Sequence, residues 1–219
     1  MLRAVIFANG NLTRPAHPLA GLHSADLIIA ADGGAHHCRA MGLAPDVLIG
    51  DLDSITKALQ EDLSRSGTQV ILYPRDKDET DLELALRYAV DQNAEEILLL
   101  GILGGRLDQT LANLLLLSLP EWQPARLMVA DGPDFALLVR AGSPLTLQTQ
   151  TGDIVSLIPL TRTVIGVSTE GLRWSLKDAT LEFGTTLGIS NETTGDIARV
   201  EIKTGQLLAV HREQERRKK

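Results

Sequence analysis

Over the first 130 residues, short and almost unbroken apolar runs alternate with amphipathic stretches. The runs at residues 2–8, 26–31, 47–49, 69–73, 96–100 and 126–130 are dominated by Val, Ile, Leu and Ala. Segments this short and this uniformly apolar read as strands buried on both faces. Between them, residues 35–41 close at Gly42 and residues 55–65 stop at Gly67, each with helical spacing. A third helix carries Leu82, Ala85, Leu86, Ala89 and Val90 on one face, with Asp78 as its expected N-cap. A fourth, strongly apolar, is expected from about residue 109 to 119. Strands alternating with helices in this way predict a parallel sheet covered on both sides.

Beyond about residue 140 the period changes from helical to two. Residues 145–149, 154–160, 164–169 and 179–183 alternate or run extended between glycine turns. Residues 198–203 are expected to pair with 206–211 across Thr204-Gly205. The chain is therefore expected to divide into an α/β domain over 1–140, an antiparallel β domain over 141–212 and a charged tail over 213–219.

Composition narrows the setting. The chain has 219 residues, 44% hydrophobic, with a net charge of −7 and a pI near 5.2. An acidic protein of this kind is expected to bind no nucleic acid, because phosphate backbones require a basic surface. The single Cys38 excludes an internal disulfide, and Met1-Leu2-Arg3 leads straight into a strand-like run rather than a signal peptide. No apolar stretch approaches membrane-spanning length. A cytoplasmic protein without membrane partners is expected.

In an open α/β sheet, ligands bind beyond the carboxyl ends of the strands. Here those ends carry Asp32, then Asp51 and Asp53, then Asp76, Asp78 and Asp81, then Arg106 and Asp108, with Gly33-Gly34, Gly50 and Gly104-Gly105 among them. Carboxylates crowded on one edge raise one another's pKa unless a cation sits among them. A hard divalent ion such as Mg²⁺ suits oxygen ligands and shares them with substrate phosphates. Backbone N–H groups at helix starts can cradle phosphate oxygens, and Arg106 can stabilise charge on a transferring phosphoryl group. Neither a P-loop nor a dinucleotide glycine fingerprint is present, so any nucleotide site is of another kind. His36-His37-Cys38 lacks the ligand spacing of a zinc site, and Ser54 and Ser190 lack a paired base for nucleophilic catalysis.

Several motifs in order along the chain resemble the thiamine pyrophosphokinase family. They are Ala31-Asp32-Gly33-Gly34-Ala35, Pro45-Asp46 with Ile49-Gly50-Asp51-Leu52-Asp53-Ser54, Asp76-Lys77-Asp78-Glu79-Thr80-Asp81, residues 101–108 with Asn113, and Gly188-Ile189-Ser190-Asn191-Glu192. The resemblance implies a Rossmann-like α/β catalytic domain followed by a β-sandwich that binds thiamine. It also implies a homodimer whose active site is completed at the interface. The reaction implied is Mg²⁺-dependent transfer of the diphosphoryl unit of ATP to the hydroxyl of thiamine, giving thiamine diphosphate and AMP. By motif, Asp51, Asp53 and Asp81 match the metal-binding carboxylates, and Thr80, Arg106 and Asp108 match residues around the nucleotide and the transferred group. Asp32, Gly33, Asp78, Gly104 and Gly105 are expected beside the nucleotide, and Ser190, Asn191 and Trp174 beside thiamine. Leu52 stands where many relatives have Phe, and Lys77 where Gln is frequent.

Blander roles compete for some of these residues. Asp78 and Asp108 can be helix caps, Gly104 and Gly105 simple turn-makers, and Ser190-Asn191-Glu192 a hairpin turn. Trp174 can fill the β-domain core or line a pocket for a cationic heteroaromatic ring. Which carboxylate acts as general base is left open. A diphosphokinase for another heteroaromatic alcohol and a non-catalytic ligand sensor are the rival readings.

Overall fold

The computed structural model describes residues 1–17, 20–24 and 26–214. The chain forms two compact units, Met1–Arg14 with Pro18–Gly132, and Pro15–His17 with Pro133–Lys219.

In the first unit the apolar runs become β1 (Arg3–Phe7), β2 (Leu27–Ala31), β3 (Val47–Gly50), β4 (Gln69–Leu72), β5 (Glu96–Leu100) and β6 (Arg126–Asp131). They lie in the order β6-β5-β1-β2-β3-β4, and every pairing among them is parallel. Ala4, Val5, Ile6 and Phe7 are wholly buried, as a strand flanked on both edges and covered on both faces requires. The helices are α1 (Gly34–Ala40), α2 (Lys57–Arg65), α3 (Asp81–Asp91) and α4 (Leu107–Leu116). Helix α3 buries Leu82, Leu84, Ala85, Leu86 and Ala89, and packs against β1, β2 and β3.

Helix boundaries shift by a few residues from expectation, and at α3 and the end of α4 the local reason is visible. Thr80, not Asp78, caps α3: its Oγ1 accepts the Glu83 N–H at 3.2 Å. Helix α4 ends at Leu116 rather than near 119, because Pro120 opens a 3₁₀ turn over Pro120–Trp122. Trp122 Nε1 then donates to the Leu116 carbonyl at 2.8 Å, satisfying an acceptor freed at the helix end.

The strand order places a switch point between β1 and β5, since β2 lies on one side of this pair and β6 on the other. Backbone bonds lace together the segments that follow these two strands: Gly10 N–H donates to the Gly101 carbonyl at 2.7 Å and Asn11 N–H to that of Leu103 at 2.8 Å. A crevice at the carboxyl edge follows from this topology.

The second unit contains two antiparallel sheets. One has the order β12 (Asn191–Glu192), β9 (Ile154–Pro159), β14 (Gln206–Arg212), β7 (Asp134–Arg140). The other has β11 (Ala179–Glu182), β10 (Thr163–Glu170), β13 (Ile197–Glu201) and β8 (Leu145–Gln148). Residues 134–140, expected to close the α/β domain, pair antiparallel with β14 along their whole length. The division by contact therefore falls at Gly132 and Pro133 rather than near 140.

The hairpin expected across Thr204-Gly205 does not form. β13 pairs with β8 and β10, whereas β14 pairs with β7 and β9. The burial patterns explain the parting. β13 alternates exposed and buried residues, but Leu207, Leu208 and Ala209 of β14 are buried in succession, as in a strand held on both edges. Of the expected tail, Glu213 N–H donates to the Pro133 carbonyl at 3.1 Å and Gln214 N–H to Asp153 Oδ1 at 3.2 Å. The rest, 215–219, lies outside the described residues. Among the described residues no helix is long and apolar enough to cross a membrane.

Candidate functional site

The carboxyl edge of the parallel sheet opens into a cleft of about 510 Å³. Asp32, Asp51, Asp53, Thr80, Asp81, Gly104, Gly105 and Arg106 line it, drawn from the ends of β2, β3 and β5 and the start of α3. One carboxylate oxygen each from Asp32, Asp51 and Asp53 lie within 4.8 Å of one another. Hard oxygen donors at that spacing fit a magnesium ion, and Asp81 lines the same cleft.

Backbone geometry aims these groups. Asp32 has φ of 44° and Leu52 a φ of 60°. A left-handed conformation is costly for a residue as bulky as Leu, and persists only where its surroundings enforce it. Leu52 is buried, and its turn puts Asp51 and Asp53 on the same side. Asp51 Oδ1 accepts the Asp53 N–H at 3.2 Å, closing the turn on itself. Asp32 Oδ1 accepts from Ser54 N–H at 3.4 Å, so the β2 and β3 turns are joined. His36 and His37, adjacent on α1, serve separate turns: His36 Nε2 is 3.1 Å from the Ser54 carbonyl and His37 Nε2 is 2.8 Å from that of Gly10.

Two glycines allow close approach. A β-carbon on Gly50 would stand 3.0 Å from Asp81 Cγ and 3.1 Å from Asp32 Cβ. One on Gly33 would fall 2.2 Å from the Asn9 side chain, so Gly33 admits Asn9 to the rim of the cleft.

Cations already lie among the acids. Lys77 Nζ sits 3.1 Å from Asp81 Oδ1 and 3.8 Å from Asp51 Oδ2, with its side chain only 10% exposed. Arg75 lies 3.6 Å from Asp53 at the rim. Burial raises the Asp81 carboxyl above the ordinary carboxylate range; Lys77 opposes this, and the charges of Asp32 and Asp51 add to it.

Other expected residues stand apart from the lining. Asp108 forms a two-pronged pair with Arg106, with Arg106 Nε 3.1 Å from Asp108 Oδ1. Those bonds hold the exposed Asp108 carboxyl below its usual range. Asp78 is exposed and does not line the cleft, and Gly33 lies behind Asn9. Conversely, Asn9, Gly10, Arg75, Glu79 and Gln109 line it without having been singled out from sequence. The strand-end rule could have found Asn9 and Gly10, which follow β1 after Ala8. Asn113 donates from Nδ2 to the Ile102 carbonyl at 2.8 Å, fastening the β5–α4 loop to the helix.

In the β unit, Trp174 is 55% exposed, which removes the core alternative. The Arg173 guanidinium lies 4.8 Å from its ring centroid and pairs with Glu192 at 2.8 Å. Asn191 is buried and clamps the Trp174 backbone, accepting from its N–H at 3.0 Å and donating to its carbonyl at 2.7 Å. Ser190 has φ of 57° and donates its N–H to Ser156 Oγ at 3.0 Å. Asn191 and Glu192 form β12 against β9 rather than a hairpin turn.

The family to which this parallel sheet, its carboxylate-lined cleft and the antiparallel β unit belong is one of ATP-dependent transferases. The chain belongs to the thiamin pyrophosphokinase family: residues 20–129 match its catalytic domain and 145–208 its vitamin B1 binding domain. It is similar to the thiamine pyrophosphokinase of Bacillus subtilis, 28% identical over 84% of this chain and 86% of that one. It is likewise similar to thiamine pyrophosphokinase 1 of rice, Oryza sativa subsp. japonica, 29% identical over 90% and 82% of the two chains. The solved Bacillus subtilis enzyme superposes with a TM-score of 0.83 at 25% identity, covering 97% of this chain and all of that one. The Candida albicans thiamin pyrophosphokinase shares the fold, with a TM-score of 0.79 at 18% identity over 97% and 89% of the chains. The activity is thiamine diphosphokinase, with ATP as co-substrate.

Proposed function

We propose that the acidic cleft is where diphosphoryl transfer from ATP to thiamine takes place, with Mg²⁺ held by Asp51, Asp53 and Asp81 and faced by Asp32. The observation that carries this reading is the convergence of Asp32, Asp51 and Asp53 within 4.8 Å in one cleft, with Asp81 brought in by Gly50. When bound, the ion would neutralise charge on the polyphosphate. The chain's own residues position the substrates. Thr80 and the N–H groups of Gly104 and Gly105 face the nucleotide, with Gly33 and Asp78 supporting that side. Arg106, set by Asp108, stabilises charge on the group in transfer.

Thiamine binds the β unit at Trp174, Asn191 and Ser190. Support comes from an indole that is exposed, carried on a backbone held by Asn191 and already facing a cation, the electrostatic character a thiazolium shares. The active form is a homodimer, the active site being completed at the interface. The exposed apolar ridge of Leu107, Leu111 and Leu115 along α4, with Leu119 just beyond it, supports such an interface. The protein works in the cytoplasm without nucleic-acid or membrane partners.

The test is a coupled assay for AMP with thiamine, ATP and Mg²⁺. Thiamine-dependent AMP release that falls by about 10²–10³-fold in Asp51→Asn is expected. Release in that variant at the wild-type rate would remove the cleft from the reaction.

A further inference from the structure

A buried polar network in the β unit connects through residues 191–193 to Trp174 and is not used by any step above. His211, on β14, is 1% exposed, and its Nε2 lies 2.9 Å from Asp153 Oδ2. The same carboxylate accepts the N–H groups of Gln150 at 2.9 Å and Gln214 at 3.2 Å. Burial works to raise the Asp153 carboxyl, but the bonds from His211, Gln150 and Gln214 outweigh it and hold the group below its ordinary value. Asp153 is thus a buried anion with its lone pairs satisfied from several directions, a costly feature that needs a compensating use.

That use is visible in what Asp153 holds. Its own carbonyl accepts the Thr193 N–H at 2.9 Å, and the Thr193 hydroxyl donates to the carbonyls of Gln150 and Asp153. Gly152 N–H donates to the Thr193 carbonyl at 2.9 Å, and Thr149 Oγ1 to that of Gly195 at 2.8 Å. Turn 149–153 is therefore nailed to residues 193–196, immediately after β12. Asn191, two residues before Thr193, then clamps both backbone groups of Trp174. A continuous path of hydrogen bonds and two-residue chain steps runs from His211 through Asp153, Thr193 and Asn191 to Trp174. A shift of turn 149–153 would be passed to the Trp174 backbone, because the links between chain segments are directional hydrogen bonds.

We propose that Asp153 and His211 are positioning residues for thiamine: their buried pair fixes turn 149–153 and β12, and through Asn191 sets the orientation of Trp174. The inference rests on the reading of Trp174 and Asn191 as thiamine contacts.

Steady-state kinetics and thiamine-dependent quenching of Trp fluorescence test it, with Trp174→Phe identifying the Trp174 signal. Asp153→Asn and His211→Phe are expected to raise the KM for thiamine at least tenfold, with kcat and the KM for ATP within twofold of wild type. Quenching should shift to correspondingly higher thiamine. His211→Gln, which keeps a donor toward Asp153, should restore most of the loss. A thiamine KM within twofold of wild type in the folded variants, or parallel rises in both KM values, would overturn the proposal. Should Asp153→Asn fail to fold, His211→Phe and Thr193→Val decide by the same readouts. Asn191→Ala separates the two levels of inference. If it raises the thiamine KM while Asp153→Asn and His211→Phe do not, only the anchor falls; if it does not, the thiamine-site reading falls and the anchor with it.

Discussion

Asp81 rests against the bare α-carbon of Gly50: a side chain there would meet its Cγ and Oδ1 at 3.0 Å. Gly50 also has φ of 145°, a conformation that side chains rarely adopt. Gly50→Ala is therefore expected to cost about 1–3 kcal/mol of stability from backbone strain. It should lower kcat by about 10²-fold, because a carboxylate displaced by about 1 Å no longer completes the cleft. Thermal melts beside AMP-release kinetics check both; an unchanged kcat would separate Asp81 from the chemistry.

Asp51→Asn and Asp53→Asn should fold normally and lose turnover by about 10²–10³-fold, the scale of removing one electrostatic contact at a reacting centre. Calorimetric Mg²⁺ titration in the presence of a non-hydrolysable ATP analogue should show weaker uptake in both. Near-wild-type turnover in either would remove that residue from the metal set.

Trp174→Ala should leave the melting temperature within a few degrees, since the residue is 55% exposed. The KM for thiamine should rise about tenfold, in line with loss of about 1–2 kcal/mol of cation–aromatic contact, while the KM for ATP holds. Equal rises in both would exclude a thiamine-specific role.

His17 lies stacked on Phe135 with centroids 3.8 Å apart, and burial first, then the neighbouring His211, lower its pKa from 6.5 to about 4. The unfolded chain therefore takes up the proton at a higher pH than the folded one. Stability contributed by the neutral ring is present above about 6.5 and declines as pH falls toward about 4, by about 3 kcal/mol in full. His17→Phe should flatten urea-derived stability over that interval while preserving the stack; an unaltered slope would assign the acid sensitivity elsewhere.

Leu111→Glu, on the exposed ridge of α4, should shift sedimentation from dimer to monomer at micromolar concentration and reduce activity in parallel. A monomeric wild type, or an unaltered dimer in the variant, would move the interface off this helix.

Much of this was legible in the sequence because strand ends in a parallel sheet carry their chemistry in chain order. Asp32, Asp51, Asp53, Asp81 and Arg106 could be placed on one edge before any coordinates. What sequence concealed was of two kinds. The partition of residues 197–212 between two sheets depends on which strands are already in place to pair, and local turn chemistry at Thr204-Gly205 favours a hairpin that tertiary pairing overrides. Likewise Asp78 and Thr80 are both good caps by type; only the approach of Thr80 Oγ1 to the Glu83 N–H decides between them. The pairing of Arg106 with Asp108 and the burial of Lys77 depend on side-chain rotamers that no period encodes.

Lys77 bears on how the protein comes into being. Small metal-dependent domains often cannot fold until their ion arrives, because the ligands repel or lack partners without it. Here an ammonium group lies between Asp51 and Asp81, so the acid cluster carries an internal counter-charge from the moment the chain folds. The acid cluster is therefore expected to fold without an added divalent ion, which thermal melts in chelator and in Mg²⁺ would check.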